Sequence, residues 1–508
     1  MHRLFSRKPL HLIMTDSDGE RHQLKRVLGP VNLVSLGIGV VIGAGIFVLT
    51  GQAAANYAGP AIVLSFIISA IGCALAGLCY AEFASMIPLS GSAYTYAYAT
   101  LGELFAWIIG WELVLEYLFG ASTVAVGWSG YVVSFFRDFG ITVPAIMAQA
   151  PFLFSAGHGW HASGALVNGP AVFIVVMMTT LLVIGIHESA KFNNVIVIVK
   201  LIVIVTFICC GIFFIKYINW VPFIPPNTGR LGSFGWSGVL RGSGVIFFAY
   251  IGFDALSTAA QEARNPQRDM PIGILGSLAI CTVLYILVAG IMTGVVKYTN
   301  LAVPDPIAVA VDAAGPGLAW LRPFIKIGAI GGLSSVVLVL LMGQPRVFFA
   351  MARDGLLPKT FARVHPRFKT PYVTTILTGS VAAVVAGILP INILGELVSI
   401  GTLLAFLIVC ISVMVLRYRH PELPRAFRTP FVPFVPIAGA IITLLQMVFL
   451  PGSTWLRLAV WTAIGLAIYF GYSIRRSHLR SLPPEIGPAA VTAPASGAGA
   501  VSRQEPVQ

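Results

Sequence analysis

At 508 residues, 57% hydrophobic and only 10% charged, with a mean hydropathy of +0.88, the chain cannot be a soluble globular protein and reads as a polytopic membrane protein. Its net charge of +13 would suit a nucleic-acid binder only if the basic residues formed one patch. They do not, as their placement between apolar runs makes plain.

Apolar stretches of about twenty residues give about twelve spans. They fall near 32–56, 60–87, 98–122, 170–187, 191–215, 238–262, 273–296, 324–352, 373–390, 394–416, 431–449 and 456–474. An even number of spans puts both termini on one side. Taking that side as cytoplasm assigns it 23 of the 32 Lys and Arg, leaves eight on the other face, and strands only Lys200 in the membrane. This is the positive-inside asymmetry, and it predicts cytoplasmic termini with no nucleic-acid partner. Residues 1–25 show no apolar core or small-residue cleavage site, so no removable signal peptide is expected. The six cysteines lie in apolar runs and read as buried hydrophobes without disulfides or metal.

The first span, from Leu28 to Tyr57, is long enough to cross a bilayer but carries Gly37, Gly39, Gly43, Gly45 and Gly51. Glycine costs roughly 1 kcal/mol against alanine in a helix interior, and a break at Gly43-Ala44-Gly45 would free backbone groups that lipid cannot satisfy. The alternative is a continuous helix whose glycines allow close packing. A second interrupted stretch, GVLRGSGVIFFAYIGFDALSTAAQE from Gly238 to Glu262, favours the break, because paired broken spans in two halves mark a transporter site at midplane. The turn Ile42-Gly43-Ala44-Gly45-Ile46 would offer helix-start amides to a carboxylate. The half-helix ending near Phe248-Ala249-Tyr250 would offer carbonyls to an ammonium. A ligand with both groups on adjacent atoms is an amino acid.

Ionisable groups inside spans are functional hypotheses by default. The third span carries Glu103, Glu112 and Glu116; at 100° per residue the last two share a face and Glu103 points the opposite way. Glu116 is the candidate contact for a cationic side chain, while Glu103 suits a structural hydrogen bond as well as a transport role. Residues 137–168, with His158 and His161, read as an external loop without metal spacing. Lys200 lies about ten residues into the fifth span, too deep for easy snorkelling. In the sixth span, Asp254 could meet a basic side chain or serve as a helix N-cap. In the eighth, Met342 is placed in the side-chain pocket, and Pro345 is expected to kink the helix. Residues 475–508, rich in Pro, Ala, Gly and Ser, read as a disordered cytoplasmic tail.

GAGIF in the first span, SGSAYTYAYATLGELFAWIIGW, FFAYIGFDALSTAAQEARNPQRDMPIGI and GQPRVFFAMARDGLLP together closely resemble the cationic amino acid transporter branch of the amino acid–polyamine–organocation superfamily, over roughly Leu28 to Arg476. The resemblance implies an all-α, leucine-transporter-like architecture with inverted five-helix repeats, discontinuous first and sixth helices, and two extra helices. The implied boundaries are a cytoplasmic segment 1–31, repeats 32–219 and 238–416, extra helices 417–474 and the tail 475–508. It also implies that Phe248 caps the substrate, that backbone groups of Phe248, Ala249 and Ile251 hold its ammonium, and that Tyr250, Phe253 and Asp254 lie close by. Lys200 looks like the lysine that some proton-coupled members place where sodium-coupled relatives bind sodium. Its ammonium would then bond carbonyls of Gly39 and Ile42 and hydroxyls of Ser334 or Ser335. Where family members usually carry a small hydroxyl residue, this chain has Pro345.

The reading is therefore a non-enzymatic secondary transporter of amino acids in the cytoplasmic membrane, proton-coupled and inclined to cationic substrates, with the proton as coupling ion and no other cofactor. An exchanger and a non-transporting sensor are the alternatives. A small single-span partner and a homo-oligomer both stay open. An intramembrane serine protease is a distant rival, because G-x-S-G occurs at Gly127–Gly130 and Gly235–Gly238, but its base would have to be His187 at a span boundary.

Overall fold

The computed structural model describes residue 8 and residues 28–87, 92–155, 159–185, 190–368 and 370–481. His158, His187, most of the 1–31 segment and the tail beyond residue 481 lie outside the described residues.

The first span does break. Helix α1, Pro30–Val41, starts with proline at a position where no N–H is needed and ends at Ile42, whose backbone is extended (φ −74°, ψ 92°). Helix α2 resumes at Gly45 and runs to residue 58, with π-helical turns at Gly45–Leu49 and Ala54–Ala58. Gly59 turns the chain at φ +61° into helix α3, Ile62–Met86, and a short helix α4, Ser92–Thr100, follows.

Helix α5, Glu103–Asp138, corrects the expected third span. The apolar sequence continues past residue 122, and the helix follows it for 16 residues more than predicted. Inside it the π-helical turn Leu115–Phe119 widens the winding. The 137–168 loop is not irregular throughout, because strands β1 (Phe152–Ser155) and β2 (Gly159–Ala162) pair antiparallel as a hairpin. The face bearing it is called the hairpin face below, and the opposite one the basic face.

Helices α6 (Gly169–Ile184) and α7 (Ala190–Gly211) complete the first half. The second half repeats the interruption. Helix α8, Gly235–Ile246, passes into the 3-10 turn Phe247–Tyr250, then into extended Ile251 (ψ 139°) and Gly252 at φ +112°. The chain after this break is 3-10, Ala255–Glu262, where a second α-helical half was expected.

Helices α9 (Pro266–Val295), α10 (Pro306–Ala313), α11 (Leu321–Arg353), α12 (Tyr372–Ile388) and α13 (Ile391–Arg419) follow. Helix α11 continues through Pro345. Two more, α14 (Phe434–Val448) and α15 (Gly452–Ile468), end the fold. The described residues reach beyond the expected tail boundary at 475. Ile474–Arg476 is helical, and the Ser477 hydroxyl bonds Glu103.

Among the described residues eight helical stretches are long and apolar enough to cross a membrane, and four shorter apolar helices accompany them. Their outer faces expose apolar side chains such as Ile202, Val283 and Leu456, as a hydrocarbon surround demands. Cys209 is exposed on one such face, so the prediction of uniform cysteine burial fails there. Helix packing sorts the bundle into two groups. Helix α9 packs on α1 and α3, and α3 on α8, while α5, α6, α11 and α12 all pack on one another. Helix α7 bridges α1 and α11, and α13 touches both groups.

Candidate substrate and coupling site

The two breaks meet. A Cβ on Gly45 would lie 2.2 Å from Ala249 Cα, a contact with backbone that nothing larger than glycine permits. A Cβ on Gly252 would lie 2.5 Å from Val40 Cγ1, so the second break also presses on the end of α1. Val336 of α11 lies under Gly43 at ordinary contact distance. Ile42, Gly43, Ala44, Gly45 and Ile46 are all buried, with Phe248, Ala249 and Ile251 beside them. Phe47 N donates to Gly43 O at 3.2 Å, so the turn 43–46 supplies the leading amides of α2. The geometry sets a helix start and a helix end against each other at the centre of the bundle.

Lys200 is fully buried on α7, and its Nζ donates to Gly39 O at 2.7 Å and Ile42 O at 3.1 Å. These are the last carbonyls of α1, left without helical donors by the break. The lysine stem crosses Gly332 of α11, where a Cβ would fall 2.7 Å from Lys200 Cε. Ser335 Oγ donates to Gly332 O at 2.9 Å. Ser334 Oγ donates to Ile330 O at 2.8 Å and accepts from Trp128 Nε1 at 2.9 Å.

Of the acidic residues of α5, Glu103 stands apart from the other two. Glu103 gathers the hydroxyls of Tyr98 at 3.2 Å and Tyr469 at 2.9 Å, together with Ser477, and ties α5 to the segment that follows α15. Glu112 accepts from Thr462 of α15 at 2.9 Å. Glu116, four residues on, lies beside Asp254 and Thr402. A Cβ on Gly401, next to Thr402, would lie 3.5 Å from Glu112 Oε2, so both carboxyls approach α13, as 100° per residue predicts. Neither Glu116 oxygen has a donor in hydrogen-bonding geometry, and Thr402, the nearby hydroxyl, gives its proton to Val398 O at 3.0 Å. Asp254 stands at the N-cap position of the 3-10 turn without capping it, and its Oδ2 accepts from Tyr117 at 3.3 Å.

Other predicted contacts are committed elsewhere. Tyr250 points its hydroxyl to Phe66 O at 3.2 Å and packs on Tyr285, so only its backbone borders the break. Phe253 packs on Tyr80 and Phe406. Met342 is half-buried, with Sδ 3.7 Å from Arg346 Nη2. Sequence reasoning missed Tyr80 and Tyr96, which lie within electrostatic reach of Asp254. Nothing in an isolated aromatic signals that neighbourhood.

On the hairpin face a cavity of about 440 Å³ opens between Val48 and Gln52 of α2, Gly127 and Ser129 of α5, the hairpin, and Asn392 at the start of α13. At its rim Asp305 accepts from Ser134 at 2.5 Å, and burial raises its carboxyl above the usual range. The serines of the two G-x-S-G motifs are spent on structure: Ser129 Oγ donates to Asn168 Oδ1 at 2.6 Å and Ser237 Oγ to Phe234 O at 3.3 Å.

Comparison with known proteins identifies the family. The sequence profile described as amino acid permease matches residues 28–470. The methylthioribose transporter of Bacillus subtilis is 47% identical over 479 residues, 94% of this chain and 100% of that protein. The branched-chain amino acid permease BcaP of the same organism is 45% identical over 94% of this chain and 99% of its own. A vacuolar cationic amino acid transporter of Arabidopsis thaliana is 40% identical over 81% of this chain and 66% of its own. With the profile spanning nearly the whole helical region and the two Bacillus relatives aligned over their full length, the chain belongs to the amino acid permease family.

Proposed function

We propose that this permease is a secondary active transporter that moves amino acids across the cytoplasmic membrane by alternating access, with the proton as coupling ion at Lys200. In this reading the helices form twelve spans in two inverted repeats plus two extra helices, and both termini face the cytoplasm. The observation that carries it is the contact of Gly45 with Ala249, which sets amides and carbonyls of two broken helices around one small volume. The α-carboxylate takes the amides of the 43–46 turn, and the α-ammonium takes carbonyls at 248–251.

Lys200 supports the coupling role because its ammonium holds the carbonyl end of α1 at the break. Losing its proton removes both charge-assisted bonds and frees that end to move. Glu116, with Asp254 beside it, biases the side-chain pocket toward cationic amino acids, since both of its buried carboxyl oxygens lack a donor and would accept a cation. Uptake of labelled arginine and alanine into proteoliposomes, with and without an inward proton gradient, tests transport and coupling together.

A second reading keeps the mechanism and changes the cargo. The two relatives aligned over their whole length are named for branched-chain amino acids and for methylthioribose, a sugar with neither ammonium nor carboxylate. Competition of labelled alanine uptake by leucine, arginine and methylthioribose separates the two.

A further inference from the structure

One wall of the cavity on the hairpin face is the segment that leads into α10. Ala302, Val303 and Pro304 line it, and Asp305 stands next, at the N-cap position of α10. The two prolines that flank Asp305 are seated on glycines of different helices. A Cβ on Gly130 of α5 would strike Pro304, and a Cβ on Gly51 of α2 would strike Pro306 and lie 2.7 Å from Leu301 O. The segment therefore joins the second half of the first broken helix to α5 across the cavity. Between the two seats lies a polar contact, Ser134 Oγ donating to Asp305 Oδ2 at 2.5 Å.

The charges around Asp305 are committed to other partners. It is half-buried and caps no amide of α10, and among the described residues no cation lies within ion-pair distance of it. Lys326 of α11 gives its Nζ to Asp138 Oδ2 at 2.7 Å and to Ser134 O at 3.2 Å. Arg322 is divided between Asp138 Oδ1 at 3.5 Å and Asp312 Oδ1 at 3.1 Å. From α5, Arg137 acts on Asp305 only at longer range, and Tyr131 gives its hydroxyl to Phe47 O at 2.8 Å. His161 of β2, exposed, shares the cavity wall. A half-buried carboxylate with one hydroxyl donor and no close cation loses hydration that its partners do not replace, and burial raises the Asp305 carboxyl accordingly. Its proton is thus held more tightly while the segment is seated than after it lifts into water. By linkage, seating is strongest below the ordinary aspartate range and weakens as pH rises through the raised value.

We infer that Asp305 is a second proton-binding site, separate from Lys200, and that its proton helps to seat residues 302–313 on Gly51 and Gly130 beside the 440 Å³ cavity. The hairpin face is the outer one in the transport reading above, and on that reading a proton arriving from outside favours closure there.

The experiment reads seating in detergent without substrate, so its failure is distinguishable from failure of the transport reading. Val311, fully buried on α10, is replaced by cysteine in a chain carrying Cys209→Ser and Cys210→Ser, and maleimide labelling is timed from about pH 5 to about pH 8. Rates are divided by those of Ala313→Cys, exposed on the same helix, which removes the titration of the thiol itself. With Asp305 in place the ratio should rise about threefold or more across that range. Asp305→Asn keeps the shape without the charge and should stay flat at the slow rate. His161→Gln should leave the rise intact. Ser134→Ala, which takes the hydroxyl donor from the ionised carboxyl, should steepen it. A flat ratio with Asp305 in place, a full rise in Asp305→Asn, a rise lost in His161→Gln, or a rise made shallower by Ser134→Ala each overturn the assignment.

Discussion

Gly45 and Ala249 touch where two helices stop, with space at residue 45 for a hydrogen and nothing more. The contact fixes the spacing between the amide end of α2 and the carbonyl end of α8. Gly45→Ala must push the backbones apart, because the atom it meets belongs to the main chain. Substrate binding should weaken at least tenfold, about 1.4 kcal/mol, with the helical content unchanged. Gly331→Ala, which meets nothing within 4 Å on the same α11 that supports the site, is the control. It should bind normally and gain roughly 0.5–1 kcal/mol in stability from helix propensity. Scintillation proximity binding and thermal unfolding in detergent check both.

Glu116→Gln removes a charge and keeps the shape. If Glu116 reads the side chain of a basic amino acid, arginine binding should fall by about tenfold or more while alanine is spared, since losing a charged partner costs roughly 1.5–3 kcal/mol. Equal losses for arginine and alanine would remove Glu116 from substrate selection.

The Glu82 cluster predicts a stability hierarchy. Glu82→Ala leaves the guanidiniums of Arg417 and Arg425 together without their carboxylate, and should cost about 3 kcal/mol or more. Arg417→Ala should cost less, because Glu82 retains Arg425 and the Thr429 amide. Melting of the detergent-solubilised variants gives the order, and a Glu82→Ala chain as stable as Arg417→Ala would contradict it.

A serine-directed fluorophosphonate should leave the chain unlabelled. Ser129 gives its proton to Asn168, and Ser237 gives its proton to a backbone carbonyl. Labelling that is lost in Ser129→Ala would revive a hydrolytic reading.

Much of this architecture was legible in the chain because its signals are local. Five glycines in one apolar run announced the break, and the resemblance to proton-coupled members directed the mid-span lysine to the carbonyls of Gly39 and Ile42, which hold it. The position of Glu116 was not legible. Its neighbour Asp254 lies on a different helix, and spacing along one helix does not reveal a pairing across two. Nor was the use of Tyr250 and Phe253, since an aromatic beside a break can face the site or the packing, and these two face the packing. Glu82 and Glu396 were within reach: both are carboxylates in apolar helices, but their partners are hundreds of residues away or on other helices, and sequence spacing does not reveal them.

In the proposed mechanism, loss of the proton from Lys200 frees the end of the first broken helix to move. The most direct test is uptake of labelled alanine into proteoliposomes at clamped membrane potential, with and without an inward proton gradient, for the native chain and Lys200→Ala. The account predicts gradient-driven accumulation by the native protein and, in the variant, substrate binding without gradient dependence. Native uptake that ignores the gradient but follows amino acid loaded inside would contradict it, making the protein an exchanger and Lys200 a structural peg.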